Sequence, residues 1–328
     1  MQDNMRRKDF DVTNTILVTS SSEVCQSVRE IFLSMFNEKY FSPVQQSFED
    51  FENLFEGEFE GYLACDTFYH DKQHTLDMTL ALARLIEGYQ QVADKEKKLS
   101  ADYAAIGLIT ALYHDSGYIR EVNDKNSNGS VYTKIHVSRS ATFLSKYLPM
   151  IGKPEYVEIA KNIVHYTGYE LKPSEIKLKS NILHKLGHML GSADLIAQMS
   201  DRCYLEKCRD RLYPEFVLGN IAEITHKDGT TEQLYKSGND LLRKTPDFYN
   251  HEINTRLNGL FNSAYKYAKN HFGHSNLYIE ALETNISHLL KLLEQQQLSK
   301  LVRIPLVNNG TIYADSSSAE EIRKLKIK

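Results

Sequence analysis

Tryptophan is absent from the 328 residues, and cysteine occurs four times with no C-x-x-C pair. So sparse a set gives neither a disulfide framework nor a thiolate zinc site, and fits reduced thiols in a cytoplasmic protein. Glycine and proline together make up only about 7%, against a usual share of roughly 12%. Few breakers in a chain with frequent 3.6-type spacing predict an all-α protein. The longest nearly apolar run, Ala104 to Tyr113, is about half of the roughly 20 residues that a spanning helix needs. No apolar stretch follows the charged N-terminus, so no signal peptide is read there. A surplus of positive charge is missing too: 39 basic and 43 acidic residues leave a net charge of −4. That argues against a nucleic-acid polymer or a membrane surface as partner.

What is present divides into three parts: an arm over 1–21, one helical domain over 22–297, and a tail over 298–328. The arm carries a β-like run at Thr15 to Thr19. Helices are expected over Ser22–Phe36, Val44–Phe55, His74–Lys97 and Asp102–Tyr113, the last capped by Ser100. Further helical stretches follow at 132–148, 154–166, 180–210, 212–224, 230–243, 247–270 and 276–297. In the tail, Leu301 to Val307, Asn308-Asn309-Gly310 and Thr311 to Tyr313 read as a β-hairpin. The arm and this hairpin are the candidates for a homodimer surface.

The chemistry concentrates in a few histidines and aspartates. Tyr69-His70-Asp71-Lys72-Gln73-His74 sets two imidazoles at i and i+4, on one face if a helix begins here, with Asp77 a turn further. An apolar helix ends in His114-Asp115 before Ser116-Gly117, a break that lets adjacent side chains reach one ion. His136, with Arg139 three residues on, and His165 lie on later helices. Asp194 is an acid inside an otherwise apolar stretch, costly to bury unless paired or metal-bound. Imidazole and carboxylate donors without thiolate suit Mn, Mg, Zn, Fe or Ni, and look catalytic rather than structural.

The order H…HD…H…H…D on helices resembles the HD-domain superfamily of metal-dependent phosphohydrolases. More narrowly, Y-H-D-x-x-H-x-x-D from Tyr69 to Asp77 is similar to the Y-H-N-x-x-H-x-x-D signature of class I cyclic nucleotide phosphodiesterases and their bacterial relatives. Ala193-Asp-Leu through Leu212-Tyr-Pro-Glu-Phe216 is similar to the helix around that group's last metal aspartate. The resemblance covers about residues 60–225 and implies an HD-type helical bundle holding one or two divalent ions. It implies His74, His114, Asp115 and Asp194 as ligands of the first, Asp115 as the bridge, and His136 and His165 at the second. It also implies His70 as general acid, its ring oriented by Asp77 or another carboxylate, with a metal-activated hydroxide as nucleophile. Arg139 is a candidate for a phosphate oxygen, and Gln198 and Gln233 for the base of a nucleotide. A small phosphorylated substrate follows: a phosphodiester, with a 3′,5′-cyclic nucleotide the best specific choice. A phosphomonoesterase on the same metal core, or a sensor that binds without turnover, is the alternative.

Two departures stand out. Asp71 replaces the asparagine of the signature, and Tyr118 replaces the histidine of H-D-x-x-H. His184, His188, His271, His274 and His288 are read as structural.

Overall fold

A computed structural model of the chain describes residues 6–126, 128–226, 228–305 and 319–324. The fold is all-α: it is 66% helical, and the described residues hold a single two-stranded sheet. The first four helices are α1 (Ser21–Met35), α2 (Ser42–Glu56), α3 (Lys72–Val92) and α4 (Ala101–Leu112). After them come α5 (His136–Met150), α6 (Val157–Ile163) and α7 (Asn181–Ser200). The chain continues through α8 (Tyr204–Lys207), a π-helical turn (Cys208–Leu212) and α9 (Tyr213–Leu218). A short hairpin of β1 (Glu223–Thr225) and β2 (Thr231–Gln233) precedes α10 (Gly238–His251) and a second π-helical stretch (Glu252–Leu260). Last are α11 (Ala268–Phe272), α12 (Leu277–Glu294) and α13 (Ala319–Lys324).

The centre is α3, buried on nearly every face and packed against α1, α4, α7 and α11. Its repeat of leucine and alanine lacks a polar stripe because neighbours surround it. α4 is equally apolar, its N-terminus capped by Ser100 as the sequence predicts. Arg84 is buried within α3 and donates to Asp11 of the arm (2.5 Å) and to the Tyr278 hydroxyl of α12 (2.8 Å). One continuous core runs from Val18 to Ile322, so arm and tail contribute to it rather than hang from it.

Several boundaries differ from the sequence reading. The helix expected over His74–Lys97 starts two residues earlier and ends at Val92. The stretch 180–210 breaks after Ser200, where Asp201 leaves helical geometry. Residues 212–224 and 230–243 were read as helices, yet Glu223–Thr225 and Thr231–Gln233 pair antiparallel, Ile224 opposite Glu232. The turn Asp228-Gly229, with Gly229 at φ +83°, is what a hairpin needs and a helix rejects. The stretch 247–270 is interrupted where Asn262 and Ser263 take positive φ. Of the expected C-terminal β-hairpin, Leu301–Pro305 is irregular and the remainder lies outside the described residues.

Candidate metal centre

Asp71, not His70, opens α3. Its extended backbone stands at the N-cap, and its Oδ1 accepts from the His74 amide at 2.9 Å. His70 therefore precedes the helix, and the expected shared face with His74 does not form; the two rings meet edge to face at 5.9 Å. The other Asp71 oxygen accepts from Arg211 at 2.9 Å, an ion pair buried on both sides. That pair accounts for the first departure from the signature, since an asparagine would bring no charge to meet Arg211.

His114 and Asp115 follow the end of α4, where Tyr113 and Asp115 sit in the bridge region of the backbone (φ −114° and −106°). This turn is clamped by α5. Ser140 accepts from the Gly117 amide at 2.8 Å, and Arg139 donates to the carbonyls of Gly117 (2.6 Å) and Ile119 (3.1 Å) while lying over Tyr132. Gly117 has no alternative, because a Cβ would stand 1.8 Å from the His136 carbonyl oxygen.

Four side chains from α3, the α4 terminus and α7 converge. His74 Nε2 lies 3.2 Å from Asp194 Oδ1 and 3.6 Å from Asp115 Oδ2, and His114 Nε2 lies 3.1 Å from Asp115 Oδ2 and 3.8 Å from Asp194. His136 Nε2 approaches the other Asp115 oxygen, Oδ1, at 3.7 Å. Thus Asp115 turns one oxygen to each group. His114 Nδ1 and His136 Nδ1 donate to the carbonyls of Ala111 and Thr133, both at 2.8 Å, which leaves each Nε2 as the lone-pair end. His114 Nε2 and Asp115 Oδ2 are buried with no hydrogen-bond partner although only 3.1 Å apart. The ligand atoms of His74, His114 and Asp115 all lie within 4.8 Å of one another, a spacing that one cation can bridge. The buried group His74, His114 and Asp115 can hold a metal ion. Without one, burial lowers the His114 pKa, but Asp115 outweighs it and raises it to about 9. Burial acts against Asp115 in turn, while His114 and His70 hold its carboxyl below the usual range. Metal binding would therefore release a proton.

His70 stands beside this cluster, its side chain 18% exposed. Its Nδ1 forms a short hydrogen bond to Glu215 of α9, and the amide of Tyr69 donates to the same carboxylate at 2.8 Å. Burial depresses His70, yet Glu215, then Asp115, prevail and lift its pKa to about 9. The orienting carboxylate is thus Glu215. Asp77 faces Asp201 and Asp11 instead, and burial pushes its own pKa up to about 7. Tyr118, at the second departure, stacks on both His70 (4.5 Å, 16°) and His136 (4.4 Å, 19°).

These groups open on a cleft of about 460 Å³, bordered by His70, His74, Asp115, His136, Asp194 and Gln198. Its far wall is apolar and aromatic, with Leu212, Phe216, Tyr235, Leu241 and Phe248. Gln198 borders the cleft and accepts from the Tyr69 hydroxyl at 3.1 Å. Three sequence candidates fall elsewhere. Arg139 is engaged with backbone carbonyls and does not border the cleft. Gln233 lies on an exposed strand. His165 is outside the cleft lining; burial lowers its pKa, Glu170 opposing, and no contact joins it to Asp115 among the described residues. Glu215 was missed as a functional residue. Its signal was an acid within the apolar run Leu212 to Leu218, the same signal that marked Asp194.

No protein-family model, curated protein or solved structure matches the chain. No helix among the described residues is long and apolar enough to cross a membrane.

Proposed function

We propose that the chain is a metal-dependent phosphohydrolase of the HD-domain kind that cleaves a phosphodiester, with a 3′,5′-cyclic nucleotide as the candidate substrate. The observation that carries this reading is the pairing of two devices in one cleft. One is the convergent set His74, His114, Asp115 and Asp194, in which His114 Nε2 and Asp115 Oδ2 are buried without a hydrogen-bond partner. The other is His70, braced by Glu215 at the edge of that set.

His74, His114, Asp115 and Asp194 would hold one divalent ion, and Asp115 Oδ1 with His136 would hold a second. Such ions supply charge that neutralises a phosphoryl group and acidifies a water. His70 does the rest. Glu215 raises its pKa and so favours the protonated ring, and with Nδ1 on Glu215 its Nε2–H is the proton available to a departing alkoxide. Tyr118 and Glu215 fix the ring from its face and its edge. The apolar wall from Leu212 to Phe248 excludes water and suits the flat part of a nucleotide.

The test is the initial rate on bis(4-nitrophenyl) phosphate and 4-nitrophenyl phosphate with Mn²⁺, using Asp115→Ala as control. Faster diester cleavage, lost in the control, supports the reading. A monoester preference would assign a phosphomonoesterase instead, and Mn²⁺ binding without turnover of either would leave a sensor.

A further inference from the structure

Away from the ligand cluster, the cleft is bordered by Lys134, Lys244 and Arg256, of which Arg256 alone is buried, with its donors only partly used. Arg256 belongs to the π-helical stretch Glu252–Leu260, and such stretches concentrate at functional sites. It is 6% exposed. Its Nη2 donates to the carbonyls of Tyr166 (2.8 Å) and Gly168 (3.1 Å), and its Nε faces Glu252 Oε2 at 3.8 Å. The guanidinium lies over the Tyr169 ring at 4.2 Å. Nη1 is buried with no hydrogen-bond partner. A buried donor left this way costs about 1–3 kcal/mol, and a ligand acceptor would remove that cost.

The position is close to the chemistry. The Tyr166 carbonyl that Arg256 holds packs on α7 at Gly191, one turn before Asp194; a Cβ there would come within 2.5 Å of it. Arg256 and Tyr169 border the same cleft as Asp194 and His70. Tyr169 is 67% exposed, so it offers an accessible ring beside the cation. Glu252 Oε2 faces Nε and has no hydrogen-bond partner of its own, but the other nearby acceptors are taken. Glu170 receives the amides of Val137 (2.7 Å) and Ser138 (3.0 Å), and the Tyr166 and Gly168 carbonyls receive Arg256 itself. Glu252 does not border the cleft.

A guanidinium can only donate. A planar ring set against Tyr169 therefore finds an N–H donor at its edge. We infer that Arg256 reads the ring of a nucleotide substrate, favouring an edge with a carbonyl acceptor, as a 6-oxopurine presents, over one with an exocyclic amine. This rests on the phosphohydrolase reading above and adds the class of ring. An amine at that position would turn its hydrogens toward Nη1 and leave both groups unsatisfied, whereas a carbonyl beside a ring nitrogen offers two acceptors.

The experiment is calorimetric titration of the full chain, with Mn²⁺ present, against inosine and adenosine monophosphates, which differ in the 6-substituent and in the N1 proton that goes with it. The 6-oxo compound should bind at least about tenfold more tightly. Arg256→Lys keeps the charge but not the geometry, and should shrink that ratio below about threefold while Mn²⁺ affinity is unchanged. Because Arg256 also holds two carbonyls, the variant could fold poorly; the wild-type ratio then decides alone. Equal affinities, a preference for the amine, or a ratio preserved in a folded Arg256→Lys would overturn the inference. Failure to bind either nucleotide while bis(4-nitrophenyl) phosphate is still cleaved overturns it and leaves the phosphohydrolase reading standing. Absent cleavage together with absent Mn²⁺ binding would remove both.

Discussion

The two sides of the cleft are built on opposite plans. On the ligand side, α3, the α4 terminus and α5 are locked by specific hydrogen bonds: Asp71 to the His74 amide, Ser140 to the Gly117 amide, and Arg139 to two carbonyls. On the opposite side, Leu212 meets the cleft from a π-helical turn, Phe216 from the short α9, Tyr235 from the segment after β2 and Phe248 from α10. The first side dictates residue identity, because a ligand or a clamp admits few substitutes. The second dictates only size and polarity, so ring contacts such as Phe216–Tyr235 (5.7 Å) can be replaced by other apolar pairs. In the proposed phosphohydrolase, reaction type would belong to the first side and substrate choice to the second.

The sharpest break in this comparison is Asp115→Ala. It removes the oxygens shared by both histidine groups, so Mn²⁺ binding by equilibrium dialysis and all turnover should fall to background. Retained stoichiometric Mn²⁺ would refute the bridging role. Next in size is Glu215→Gln, expected to lower kcat by about 10²–10⁴-fold. Its pH signature has a definite sign. Glu215 raises the His70 pKa above the usual histidine value, so the acid form is lost, and activity should decline, only as pH rises well past about 6.5. Without the Glu215 charge, that decline should move toward the ordinary histidine value of about 6.5. An unmoved alkaline limb would show that His70 is not the acid. The same linkage applies to stability: the contribution from His70 is full below about 6.5 and disappears through about 9.

Two smaller effects sharpen the contrast rather than break it. Asp71→Asn takes the carboxylate from buried Arg211 and should cost about 3 kcal/mol, read as a lower urea midpoint. A neutral result would mean that the pair is not what fixes the start of α3. The mildest is Phe248→Ala on the far wall. Phe248 is 40% exposed, so Tm should hold, while KM rises a few-fold with kcat unchanged. A collapse in kcat would place that wall in the chemistry itself.

The same contrast explains what could be read in advance. Helices with a strong apolar repeat were legible, down to the Ser100 cap and the α1 and α2 ends, because local periodicity and capping decide them. His74, His114, Asp115 and Asp194 were legible as a group only through the resemblance, and the structure brings their side chains together; the cost of burial by itself pointed to Asp194 as an acid in an apolar helix. Arg139 shows the limit. Its spacing from His136 was read correctly, but spacing does not say whether a guanidinium turns to a ligand or to the carbonyls of a neighbouring turn. Residues 212–263 resisted most. The Asp228-Gly229 turn and the positive φ at Asn262 and Ser263 override a helical pattern that the flanking residues still carry.

Arg84 carries a consequence for how the molecule is made. It joins Asp11 near one end of the chain to Tyr278 near the other, inside the helix that also carries His74. On a ribosome adding roughly 5–20 residues per second, the interval between Arg84 and Tyr278 is on the order of 10–40 s. Throughout that time the guanidinium has only half of its final setting. The helix that carries His74 is therefore among the last parts to mature although it is synthesised early, and a nascent chain stalled short of Tyr278 should remain open to proteases at α3.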